Sequence, residues 1–144
     1  MKHLSAGFFA GFVASLVLSG FMVAKMMLGV IPALNVIKML AAMLALPLFW
    51  GWVAHFAIGT IAWGGLFALL NDEIPSNTEM GKGIVFATFA WFAMMLFFMP
   101  MAGVGLFGAK LGIMAPVITL ILHWIFGAVM GAVYWSLTQT EATA

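Results

Sequence analysis

The chain has 144 residues, 66% of them hydrophobic and only 6% charged, against roughly a quarter charged in an ordinary soluble domain, so a soluble reading fails. A bilayer-spanning helix uses about 20 apolar residues, so four spans with their connections consume residues 1–144 as one membrane domain and leave no length for a separate catalytic one. The formal charge of +1, carried by scattered lysines, excludes a basic footprint for nucleic acid, and the absence of cysteine excludes disulfides, thiolate ligands and thiol nucleophiles.

The amino end has the outline of a signal peptide, a basic tip before the apolar run Leu4 to Ala24. That run exceeds the usual h-region of about 7–15 residues and no small-x-small site follows it, so it is expected to be retained as a first span, about Leu4 to Leu28. Gly7, Gly11, Ser15 and Ser19 recur every four residues along it. At helical spacing they form one stripe of small residues, a face that another helix can approach closely. In "GVIPALNVIKMLAAMLALP", Pro32, Asn35 and Lys38 interrupt the apolar pattern before Pro47. This stretch is too short to span and predicts a re-entrant or interfacial helix near Ala33 to Leu44.

The second span, about Leu46 to Leu70, carries Trp50, Trp52, His55, Gly59 and Trp63. "NDEIPSNTEMGK", residues 71–82, gathers three of the four acidic residues with a proline and turn formers, and is expected to be a water-exposed loop. The third span covers about Gly83 to Met99 and is expected to stop at Pro100, before the glycine-rich "MAGVGLFGAKLGIMAP". The fourth span runs from about Ala115 to Leu137, and the polar "TQTEATA" closes the chain. Tryptophans near span ends read as interface anchors.

The two halves align at an offset of 68 residues: "KMMLGVIP" lies over "AMMLFFMP", and His55 and Gly59 fall on His123 and Gly127. The fold expected is therefore an all-α integral membrane protein, its four transmembrane helices forming two helix-pair repeats. Unit one covers about 4–70, a loop 71–82, and unit two about 83–137, each with a short re-entrant or interfacial segment. Each unit crosses the bilayer twice, so the repeats would be parallel, related by an axis along the membrane normal, with both histidines at one depth. Lys2, Lys82 and the terminal amine fall on one face and Lys25, Lys38 and Lys110 on the other, so the positive-inside count is a tie. The even span count puts both termini on one face, taken as cytoplasmic.

The stretches "AGFVASLVLSGFM", "LNVIKMLAAML", "HFAIGTIAWGGLFALL" and "MPMAGVGLFGAKLGIMAPVITLILHWIFGAVMGAVY" together resemble a bacterial family of small four-span inner-membrane proteins catalogued as a domain of unknown function. The resemblance covers nearly the whole chain. It implies a multi-pass protein of the bacterial inner membrane, and it brings no activity and no functional residues.

The histidines are the place to look for chemistry, because ionisable groups in a membrane core are costly and face the bundle interior or a cavity. Gly51, His55 and Gly59 share one helix face, and Thr119, His123, Gly127 and Gly131 share another. The simplest reading has each imidazole hydrogen-bonded across helices to a serine, a threonine or the other histidine, with the glycines allowing close packing. A second makes His55 and His123 axial ligands of haem b in an electron carrier, with Gly59 and Gly127 leaving flat space for the porphyrin. A third uses thioethers with imidazole for copper, drawing on Met26, Met27, Met94 and Met95, duplicated by the repeat, and on Met99 and Met101. A fourth passes protons or ions through the same histidines. No Asp or Glu lies inside a predicted span, so no acid/base pair or Ser-His-acid constellation can form at membrane depth, and an enzyme is not expected. The role expected is structural: a component seated in the lipid bilayer that docks a membrane-protein partner or a second copy through the stripe Gly7, Gly11, Ser15 and Ser19.

Overall fold

A computed structural model describes the backbone of residues 3–142 and the side chains of residues 3–139. Lys2 of the orientation count and the last residues of the polar tail lie outside the described residues.

With no water in the bilayer core, backbone polar groups must be satisfied within the segment, and the apolar runs accordingly fold as four helices long and apolar enough to cross a membrane. These are α1 (Leu4–Met27), α3 (Leu48–Glu73), α4 (Glu79–Met101) and α5 (Met114–Ala142). A short helix, α2 (Val36–Met43), separates α1 from α3, and a 3-10 segment, Leu106–Leu111, separates α4 from α5. There is no strand among the described residues.

Two boundaries differ from expectation. The third span begins at Glu79, because Thr78 accepts a hydrogen bond from the Gly81 amide at 3.1 Å and caps the helix, so part of the acidic stretch is its first turn rather than loop. It ends at Met101, one residue past Pro100. The preceding turn, Met94–Phe98, is π-helical, and this local widening accommodates a ring that would break a regular ladder. A second π-helical stretch, Ile58–Gly64, follows His55 in α3.

Asn35 caps α2 by accepting from the Lys38 amide at 3.0 Å, and α2 buries Ile37, Leu40 and Ala41. It packs on the start of α3, where a side chain at Gly51 would collide with the Ile37 carbonyl. The segment between α4 and α5 takes a different form, since Gly105 and Gly112 sit at φ 82° and 86°, a region that favours glycine.

The helices cross through small residues. Gly7 packs on Gly64 and Ala68, Gly11 on Gly59 and Gly64, and Ser15 on Gly59, joining α1 to α3. Gly83 meets Gly127 backbone to backbone, and Gly131 meets Glu79 and Met80, joining α4 to α5. The α1 stripe therefore faces inward, with Gly7, Gly11, Ser15 and Ser19 all buried within the single chain. This corrects the expectation that it docks a partner: the second span already covers it. Phe67, Phe86, Phe126, Met130 and Tyr134 fill the core between these crossings, and Trp91, Met95, Met99 and Ala115 form a second cluster with Leu34.

Candidate functional site

The second and third spans touch through aromatic rings, Trp63 and Phe67 against Phe86, with centroids 6.0 and 5.5 Å apart. Towards α2 a cavity of about 370 Å³ opens, walled by all four spans and roofed by α2 residues such as Val36 and Leu40. His55 and His123 both line it. At about 1.5 Å per residue, they stand roughly 10 and 14 Å along α3 and α5 from the ends of those helices nearest α2. His55 is flanked on its own helix by Trp52 and Phe56, whose rings meet the imidazole edge-on at 6.1 and 5.6 Å.

Most polar groups on the cavity wall are satisfied by the protein's own backbone. Ser15 Oγ donates to the Gly11 carbonyl at 2.8 Å. Thr119 Oγ1 donates to the Ala115 carbonyl at 2.8 Å and accepts from Trp91 Nε1 at 3.0 Å. Lys25 Nζ donates to the carbonyls of Val30, Ile31 and Leu34. His123 Nδ1 donates to the Thr119 carbonyl at 2.8 Å. His55 Nε2 is the exception, a buried ring nitrogen with no hydrogen-bond partner. The only other such group among the described residues, Thr60 Oγ1, is not on the cavity wall.

This geometry corrects the simplest histidine reading for His123, which bonds to its own helix, four residues back, rather than across to another. The His55 ring approaches the Ser15 backbone of α1, although its Nε2 closes no hydrogen bond. Haem does not fit the residues present. Gly59 and Gly127 leave no flat slot, because a side chain at Gly59 would strike Ser15 and one at Gly127 would strike the Gly83 carbonyl. The lysine on the cavity wall is already committed to three carbonyls, and the chain has no arginine for the propionates. Nor do the duplicated methionines gather for copper: Met26 and Met27 are exposed, Met95 and Met99 are buried in the cluster around Trp91, and Met94 and Met101 line the cavity.

The sequence reading missed three contributors. Trp91 is buried rather than an interface anchor, Trp63 lines the cavity, and Lys25 closes the turn beside it. Only the pairing of a buried indole with a hydroxyl on another helix makes Trp91 special, and a single sequence carries no signal for that.

No curated protein and no solved structure matches the chain. A family model matches residues 1–144, and the chain belongs to that family, a family of unknown function (DUF6789).

Proposed function

We propose that this protein works by binding rather than catalysis, holding a small lipid-soluble molecule between its four spans. The cavity carries this reading: at about 370 Å³ it falls within the range of about 300–1,000 Å³ typical of small-molecule sites, which are likewise mostly apolar with a few polar groups. No carboxylate lines it, which supports a non-enzymatic role. The protein would sit in the cytoplasmic membrane of a bacterium with both termini on the cytoplasmic face. Two related units are supported by the crossings themselves, since Ser15 meets Gly59 and, 68 residues on, Gly83 meets Gly127. With the α1 stripe used inside the chain, a membrane-protein partner or second copy would have to use another surface, and the functional assignment moves to the interior.

The test is thermal unfolding of the purified protein in nanodiscs with 4-hexylphenol, a probe of about the cavity's size. Saturable stabilisation that disappears when Leu122→Trp fills the cavity is expected, because a ligand that binds only the folded state raises its stability. Equal response of the wild type and the filled variant would overturn the reading. So would proton flux in liposomes that His55→Ala abolishes, which would favour a proton pathway.

A further inference from the structure

The inference here rests on the binding reading above and names the chemical class of the ligand. Thr119 O is a carbonyl and can only accept, so the 2.8 Å contact makes His123 Nδ1 the nitrogen that carries hydrogen. No carboxylate on the cavity wall pairs with an imidazolium, and an unpaired charge there is expensive, so the ring is neutral. His123 Nε2 is then a bare lone pair, an acceptor in need of a donor. His55 lines the same cavity, but its Nε2 is covered by protein, towards the Ser15 backbone, and is not open to a ligand.

A carbonyl compound or a hydrocarbon would leave His123 Nε2 without a donor. A hydroxyl donates, so it can give its hydrogen to His123 Nε2. We propose that the cavity binds a lipid-soluble alcohol or phenol, its hydroxyl donating to His123 Nε2 and its apolar body lying among residues such as Leu18, Met22 and Met94. At about 30 Å³ per water-sized volume, the cavity holds roughly a dozen non-hydrogen atoms. Entry is sideways from the lipid, between α3 and α4. Ile58 and Phe97 line the cavity from those two helices and are 40% and 67% exposed, so its wall there reaches the lipid-facing surface.

The experiment compares 4-hexylphenol with its methyl ether, 4-hexylanisole, which keeps the shape and removes the donor. Dissociation constants are measured by thermal shift and by native mass spectrometry on the wild-type protein in nanodiscs. The phenol is expected to bind at least about tenfold more tightly, and His123→Phe is expected to remove the preference while retaining the ether. Equal affinity of phenol and ether in the wild type overturns the hydroxyl assignment and leaves the cavity as an unselective apolar site. Binding of neither compound overturns the underlying reading as well. The wild-type comparison needs no variant, so a misfolded His123→Phe does not obscure the result.

Discussion

Trp91 and Thr119 are joined by a 3.0 Å hydrogen bond, indole to hydroxyl, that ties the third span to the fourth in the interior. The same threonine accepts from His123 through its carbonyl, so the bond that holds the two helices also stands behind the ring that faces the cavity. Thr119→Val keeps the shape, removes the hydroxyl and strands the indole N–H. A hydrogen bond between membrane helices contributes about 0.6 kcal/mol on average and up to about 1.7. A loss near the upper value is expected, since both groups are buried, and it is read as a lower unfolding midpoint in detergent with a red-shifted tryptophan emission.

Glycine substitutions separate the crossings from the open surface. Gly127→Ala places a methyl against the Gly83 carbonyl and Ala87, whereas a side chain at Gly20 meets nothing within 4 Å. Overpacking costs typically 1–3 kcal/mol, and backbone is the least yielding neighbour. Gly127→Ala should therefore lower the unfolding midpoint markedly, while Gly20→Ala leaves it level or slightly raised. Gly11→Leu, which strikes Gly59 and Gly64, should unfold the single chain rather than merely separate copies. An intact monomer fold by circular dichroism and thermal melting would contradict the inward-facing stripe.

The four spans were readable because each is an apolar run of about the length the bilayer demands, and the small-residue stripe because its spacing matches the helical repeat. What the stripe packs against was not readable. Spacing identifies the small face of a helix, and tertiary structure alone chooses its neighbour, here Gly59 and Gly64 of the same chain. Thr78 and Glu79 looked like loop because their polarity outweighed their position, one residue before a helix and its first residue, where a hydroxyl cap and an acid are both favourable. The histidines were singled out as interior residues, and both are half-buried on the cavity wall, yet their chemistry depended on one bond. The Thr119 carbonyl lies four residues before His123 and is a plausible partner for any helical histidine, but whether the ring turns towards it or across the bundle is a rotamer choice set by packing. The cavity itself arises where α3 and α4 part beyond Trp63 and Phe86, a separation that no local pattern encodes.

On the face away from α2, Asn71 is buried at the end of α3. Its amide donates to Glu79 and accepts from Lys82 Nζ at 3.1 Å, and Lys82 in turn bridges Glu79 at 2.8 Å. The three groups close the connection between the second and third spans. Asn71→Leu removes both bonds at once and leaves the ion pair without its third member. A loss of about 1–3 kcal/mol is expected for this buried network, with faster proteolysis of the 71–82 connection in nanodiscs. Unchanged cleavage kinetics would mean that the loop is held by other contacts.

Lys25 supplies the last prediction. It lies in the final turn of α1, where carbonyls have no amide to accept from and a cation is favoured. Its ammonium reaches past the helix end to Val30 at 2.9 Å, Ile31 at 3.1 Å and Leu34 at 2.8 Å, so one side chain draws the chain into the reversal that leads to α2. The reversal is strained: Ile31 has φ 44°, a conformation rare for a β-branched residue. Lys25→Met preserves the length and apolar stem of the side chain while removing all three donors. Hydrogen exchange at residues 28–35 should then accelerate roughly tenfold or more, the equivalent of about 1.4 kcal/mol, while exchange in α4 and α5 stays as it was. Because Lys25 and Leu34 also line the cavity, a loosened reversal should let α2 move from its roof, and 4-hexylphenol should dissociate faster from the variant than from the wild type. Faster exchange with unchanged dissociation would show that α2 is held over the cavity by its packing on Gly51 and not by the lysine.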